Sequence, residues 1–162
     1  MPSGRTHTRL NLVAFPVLLF FLIAYGFTGA GFLLPFAGGF MAGTYLLSPD
    51  LDTNSAPYRK WGLLRIFWYP YKAIMPHRSI LTHTIILGDI IRLLYLTLVI
   101  SPLLYILNKM VLDGQLIPIV REHRDVLFVL VLGVIAASTL HIAADVLNTQ
   151  RKRLFRGRKR RR

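Results

Sequence analysis

Seven side chains in this chain are of the types that bind a divalent ion without sulfur: His7, Asp50, Asp52, His77, His83, His141 and Asp145. Imidazole with carboxylate suits zinc first, then manganese or iron, with calcium and magnesium less well matched. Seven candidates exceed the four ligands of one tetrahedral zinc, so the set has room for one ion or two. Local spacing is consistent with convergence. His141 and Asp145 are four apart, which on a helix puts both on one face, one turn above the other. Asp50 and Asp52 are two apart, and an extended backbone would point both to one side. The chain has no cysteine, which removes disulfides, thiolate nucleophiles and thiolate metal sites. Arg78, beside His77, is the candidate catalytic cation for an anionic oxygen.

The elements that must position these residues are apolar. Of 162 residues, 54% are hydrophobic and the mean hydropathy is +0.50, values that fit a membrane protein and not a soluble globule. Four runs are predicted to span: Leu10–Tyr25 with a kink at Pro16, Phe32–Leu47, Ile80–Leu107 and Asp125–Leu147. The small residues Ala37, Gly38, Gly39, Ala42 and Gly43 would let a neighbour approach the second run closely, and Pro49 ends it. The third run would be roughly 40 Å long at the helical rise, more than the bilayer core, so its ends should project or tilt. It places His83 in its first turn, with Arg78 and Ser79 at the N-cap. Asn108–Arg124 reads as a polar loop.

Between the second and third runs, residues 50–79 mix Trp61, Trp68, Tyr69 and Tyr71 with Arg59, Lys60, Arg65 and Lys72. Beside a membrane span this composition predicts an amphipathic helix lying in the headgroup region, in preference to a nucleic-acid patch. The fold expected is therefore all-α: a polytopic bundle of about four transmembrane helices plus one interfacial helix. Residues 1–150 would form the metal-binding domain and 151–162 a disordered polybasic tail. Arg5 and Arg9 before the first run resemble the start of a signal peptide, but no small-x-small cleavage site follows.

The charge of +13 is unevenly placed. Nine of the twenty Lys and Arg residues lie in 151–162, five in the connector and two before the first run. Four spans put all of these on one side, so the positive-inside rule makes both termini cytoplasmic. All seven candidate ligands fall on that side too, while His123 falls on the other. Asp89 and Arg92, three apart within the third run, read most simply as an intrahelical ion pair, with a phosphate-binding Arg92 as the sharper reading.

At these residues the chain resembles small bacterial, cyanobacterial-type integral-membrane metal-binding proteins. The resemblance rests on Pro2-Ser3-Gly4-Arg5-Thr6-His7, Pro49-Asp50-Leu51-Asp52, Tyr58-Arg59-Lys60-Trp61-Gly62, Pro76-His77-Arg78-Ser79 with His83, Arg92 with Tyr95, and His141 with Asp145. It covers nearly everything before the tail. Thr8 stands where those relatives carry aspartate, and Thr82 where serine is usual. More distantly the pattern is similar to membrane-bound metal-dependent hydrolases, which implies that Asp50, Asp52, His77, His83, His141 and Asp145 are metal ligands. It also implies a bacterial cytoplasmic or thylakoid membrane.

The function expected is thus a metal-binding membrane protein acting as a metal-dependent hydrolase at the cytoplasmic leaflet, with a lipid phosphoester as substrate. The alternative is a non-enzymatic accessory or assembly subunit of a membrane complex, with a structural metal. In either case the lipid bilayer is a partner, and the tail would dock on anionic lipid or a polyanionic partner. Ion transport ranks last, because the far halves of the spans offer few polar groups.

Overall fold

The computed structural model describes residues 4–75 and 84–159, the side chains of 4, 5 and 153–159 excepted. Four long helices dominate: α1 (Gly4–Ala24), α2 (Ala30–Tyr45), α5 (Leu87–Met110) and α7 (Arg124–Lys159). Four stretches are long and apolar enough to cross a membrane: Thr6–Ala24 in α1, Ala30–Asp52 from α2 through the turn that follows it, Leu87–Met110 in α5 and Arg124–Lys152 in α7. The all-α, four-span reading holds. Pro16, Pro35 and Pro102 lie inside α1, α2 and α5, which continue through them, as neighbouring groups in membrane helices permit.

The tightest pairing is between α2 and α7, and glycine makes it possible. A Cβ on Gly39 would lie 1.9 Å from the Leu130 carbonyl oxygen, and one on Gly133 would lie 2.2 Å from the Phe36 carbonyl oxygen. Both obstacles are backbone, so neither can swing aside. A Cβ on Gly43 would lie 2.9 Å from the Ala137 Cβ and 3.0 Å from the Val134 backbone, whereas one on Gly38 would face open space. Adjacent glycines therefore give opposite expectations. Gly39→Ala should destabilise by about 1–3 kcal/mol through overpacking, while Gly38→Ala should cost nothing, as thermal unfolding in detergent would read. Equal melting temperatures for the two variants would refute the close approach.

Residues 49–74 do not form one interfacial helix. They fold as a 3-10 turn (Pro49–Asp52), α3 (Ala56–Lys60), a second 3-10 segment (Gly62–Trp68) and α4 (Tyr69–Ile74). Ser48 and Ser55 cap the first two of these, accepting from the Asp50 and Tyr58 backbone N–H groups, and Pro49 and Pro57 occupy their opening positions. Trp68 and Tyr71, expected among headgroups, are instead buried. Their rings pack against each other and against Tyr95 of α5, at 5.1–5.5 Å between centroids. Leu63, Leu64, Ile66 and Phe67 do remain exposed and supply an apolar outer face. Trp61 Nε1 donates to the Leu46 carbonyl at 3.0 Å, and Lys60 sits 3.7 Å over the Tyr45 ring, tying the connector to the end of α2.

Three further boundaries bear on the sequence reading. Among the described residues the third span is a helix from Leu87, after Ile86 takes a left-handed φ of 71° that a β-branched residue rarely adopts; the expected start at Ile80 lies outside them. The stretch 108–124 is not merely a loop, since α6 (Leu116–Glu122) lies within it. At the other end, α7 continues unbroken through the basic residues to Lys159, where the sequence suggests a disordered tail.

Candidate metal centre

α1 and α7 run antiparallel past one another and meet in two rungs. In the inner rung, the Asn11 side-chain amide donates to the Ala137 carbonyl of α7 and to the Thr44 hydroxyl of α2, each at 3.1 Å. One turn outward on both helices, four residues away in each, His7 stacks on His141 with ring centroids 4.0 Å apart and planes 23° off parallel. Asn11 thus fixes the rotation of α1 so that His7 faces α7. A second turn out along α7, Asp145 closes the group: its carboxylate lies 3.3 Å from His7 Nε2 and 3.8 Å from His141 Nε2. Asp50 arrives from the end of α2, 3.5 Å from His141 Nε2.

Ligand atoms of His7, His141 and Asp145 lie within 4.8 Å of one another, the spacing of donors around a common ion. The imidazoles are buried while the Asp145 and Asp50 side chains stay 16% and 20% exposed. The cluster is therefore inside the bundle with its carboxylates at the mouth. Thr8, Ser48 and Pro57 complete a narrow polar crevice around His7, Asn11, Asp50 and His141. His7 Nδ1 and His141 Nε2 are buried without a hydrogen bond. Buried polar nitrogens normally have partners. Two imidazoles and the Asp145 carboxylate, with Asp50 against His141, form a donor set that a divalent ion would satisfy in charge and in coordination.

The "Uncharacterized metal-binding protein" family, DUF2227, matches residues 2–155 of this sequence. The chain belongs to this family. An uncharacterized protein of Aquifex aeolicus (strain VF5) is 32% identical over 133 residues, covering 74% of this chain and 94% of that relative. No solved structure matches the chain. The family description says metal and no more; the ligands must be read from the DUF2227 chain itself.

Of the seven candidates, the structure brings together His7, His141 and Asp145, with Asp50 against His141. His77, His83 and Arg78 lie outside the described residues. Asp52 turns away from the cluster. Residues 49–52 form a 3-10 turn and not an extended strand; at three residues per turn, positions two apart point in different directions. Asp52 is buried on the connector side, where its charge helps raise the Tyr71 phenol. That phenol is pushed up to about 12, chiefly by burial, with Arg92 opposing the shift.

His123, by contrast, is exposed at the end of α6, and its ring Nδ1 lies 3.0 Å from the Ile119 carbonyl, within its own turn. The eighteen-residue separation from His141 corresponds to about 27 Å along α7.

Asp89 and Arg92 do form the expected pair, wholly buried, and Ser138 of α7 joins them. Its hydroxyl donates to Asp89 Oδ1 at 2.7 Å and accepts from Arg92 at 3.2 Å. Arg92 is only 1% exposed. Sequence reasoning missed Asn11 and Ser138, although each had a signal. Asn11 is four residues after His7 and Ser138 three before His141, both polar within apolar runs. Asn11→Ala should lower metal affinity about tenfold, as loss of a group that orients a ligand does, and cost about 1 kcal/mol of stability. Metal titration followed by unfolding checks both; an unchanged affinity would mean that His7 needs no such support.

Proposed function

We propose that this chain is a membrane-embedded metal-dependent hydrolase whose centre is formed by His7, Asp50, His141 and Asp145. The observation that carries this reading is the convergence of these donors, from three separate elements, at one end of the bundle. Two imidazoles and two carboxylates favour zinc, with manganese or iron next. A divalent ion held there supplies Lewis-acid activation of water near neutral pH. The chain's own part is to orient that ion through the Asn11 rung and to keep one side of it, the carboxylate side, open to solvent. The distribution of Lys and Arg supports a cytoplasmic location for this end of the bundle and for both termini. Arg78, next in sequence to His77, is our candidate to stabilise an anionic oxygen, and the residues 151–162 are our candidate contact for anionic lipid.

Metal analysis of the purified protein should return about one divalent ion per chain. Hydrolysis of a phosphoester should fall to background in His141→Ala and on chelation, and return when zinc or manganese is restored. A second reading has an observation of its own. Few residues of α1 are buried within the bundle, so an ion between His7 and His141 would staple that helix in place. Metal whose removal melts the protein, in a sample that hydrolyses no phosphoester, would favour the staple over the enzyme.

A further inference from the structure

A groove of about 810 Å³ runs between α1 and α7 on the outer side of the metal cluster. Its α1 wall carries one ridge at four-residue spacing, Val13, Val17 and Phe21, beside a second of Leu10, Ala14 and Leu18, and its α7 floor is opened by the small side chains of Ala136 and Thr139. Val13, Val17 and Phe21 are exposed. Arg9 continues the same ridge one turn beyond Val13 and stands with Thr6 at the mouth. Thr6 and Leu140, both lining the groove, are chain neighbours of His7 and His141. The groove is thus apolar along its length and cationic at the end that abuts the proposed centre.

We infer that this groove seats one acyl chain of an anionic phospholipid, whose phosphate lies against Arg9 beside the metal cluster. The dimensions fit a lipid in a single leaflet. From Thr6 to Phe21 the groove extends about 22 Å along the helix, against about 15 Å for half of the hydrocarbon core. The top of the groove therefore reaches the headgroups and the bottom the bilayer midplane. Charge complementarity selects the headgroup, because an exposed guanidinium at that level binds phosphate bidentately. It also disfavours a second copy. A two-fold axis along the membrane normal would bring the partner's own cation to the same depth, against Arg9. The headgroup's place beside the ion rests on the proposed metal centre; the acyl chain's seat in the groove does not.

The test uses the full chain in phosphatidylcholine nanodiscs doped with phosphatidic acid carrying a photoactivatable diazirine in its acyl chain. Labelling should concentrate on Val13, Val17, Phe21 and Ala136, well above the equally apolar, exposed Leu94 and Leu98 of α5. Ala136→Phe, which fills the groove floor, should reduce that labelling while bound metal stays unchanged. Arg9→Gln should lower the preference for phosphatidic acid over the matching phosphatidylcholine probe by about fivefold, the effect of one cation at an anionic surface. His141→Ala should lose metal and keep the labelling, which separates failure of the centre from failure of the groove. Labelling spread evenly over α1, α5 and α7, or labelling unaffected by Ala136→Phe, would overturn the proposal. So would crosslinks between two copies through position 17.

Discussion

Purified His141→Ala protein is expected to retain almost none of the divalent ion that the unaltered chain carries. His141 is the hinge of the cluster: its ring stacks on His7, and its Nε2 faces the carboxylates of both Asp50 and Asp145. Removing it deletes one donor and releases the ring that holds His7 in position. Loss of a group that merely orients a ligand weakens a metal site about 10–100-fold, so loss of a ligand that also orients another should reach or exceed the upper figure. Asp145→Asn should weaken binding less, since it removes charge and keeps an oxygen in place. His123→Ala should change nothing, because that side chain is at the far end of α7 and bonded within its own turn. Affinity should also fall on acidification, as protons compete for the imidazoles and carboxylates. Elemental analysis and competition with a chelator at several pH values measure all of this. Metal retained by His141→Ala and lost by His123→Ala would show the centre to be elsewhere.

The second large effect concerns stability. Arg92→Leu leaves the Asp89 carboxylate buried against Ser138 with no counter-charge among the described residues, at 1% exposure. Breaking a buried pair from one side costs about 3–5 kcal/mol, whereas replacing both partners by apolar groups is often nearly neutral. Arg92→Leu should therefore unfold far more readily in a denaturant titration, and Asp89→Leu with Arg92→Leu should recover much of the loss. Ser138→Ala should cost about 1 kcal/mol, the worth of one hydrogen bond. If Arg92→Leu unfolds like the unaltered protein, the pair is not what joins α5 to α7. The effect is predicted on folding, with the metal site disturbed only as far as Ser138 shifts the turn that carries His141.

The sequence alone was enough to establish four apolar helices, because runs of that length and composition have one stable disposition in a bilayer. It also placed His7, Asp50, His141 and Asp145 at one end, since alternating helices return the chain to the same side at every second crossing. The four-residue spacing of His141 and Asp145 already put them on one face. The glycines of α2 announced a close neighbour, but not that the neighbour would be α7, with Gly133 as its counterpart.

Which donors meet was decided by tertiary structure. Asp50 and Asp52 part company because the turn after Pro49 winds as a 3-10 helix, a choice made by capping at Ser48 and packing of the connector. Trp68 and Tyr71 look interfacial by type, yet the broken connector folds them against Tyr95, where burial outweighs a place among the headgroups. The stacking of His7 on His141 depends on the rotation of α1, and composition is silent about rotation. Asn11 sets it, through hydrogen bonds to two other helices that exist only once all three have packed.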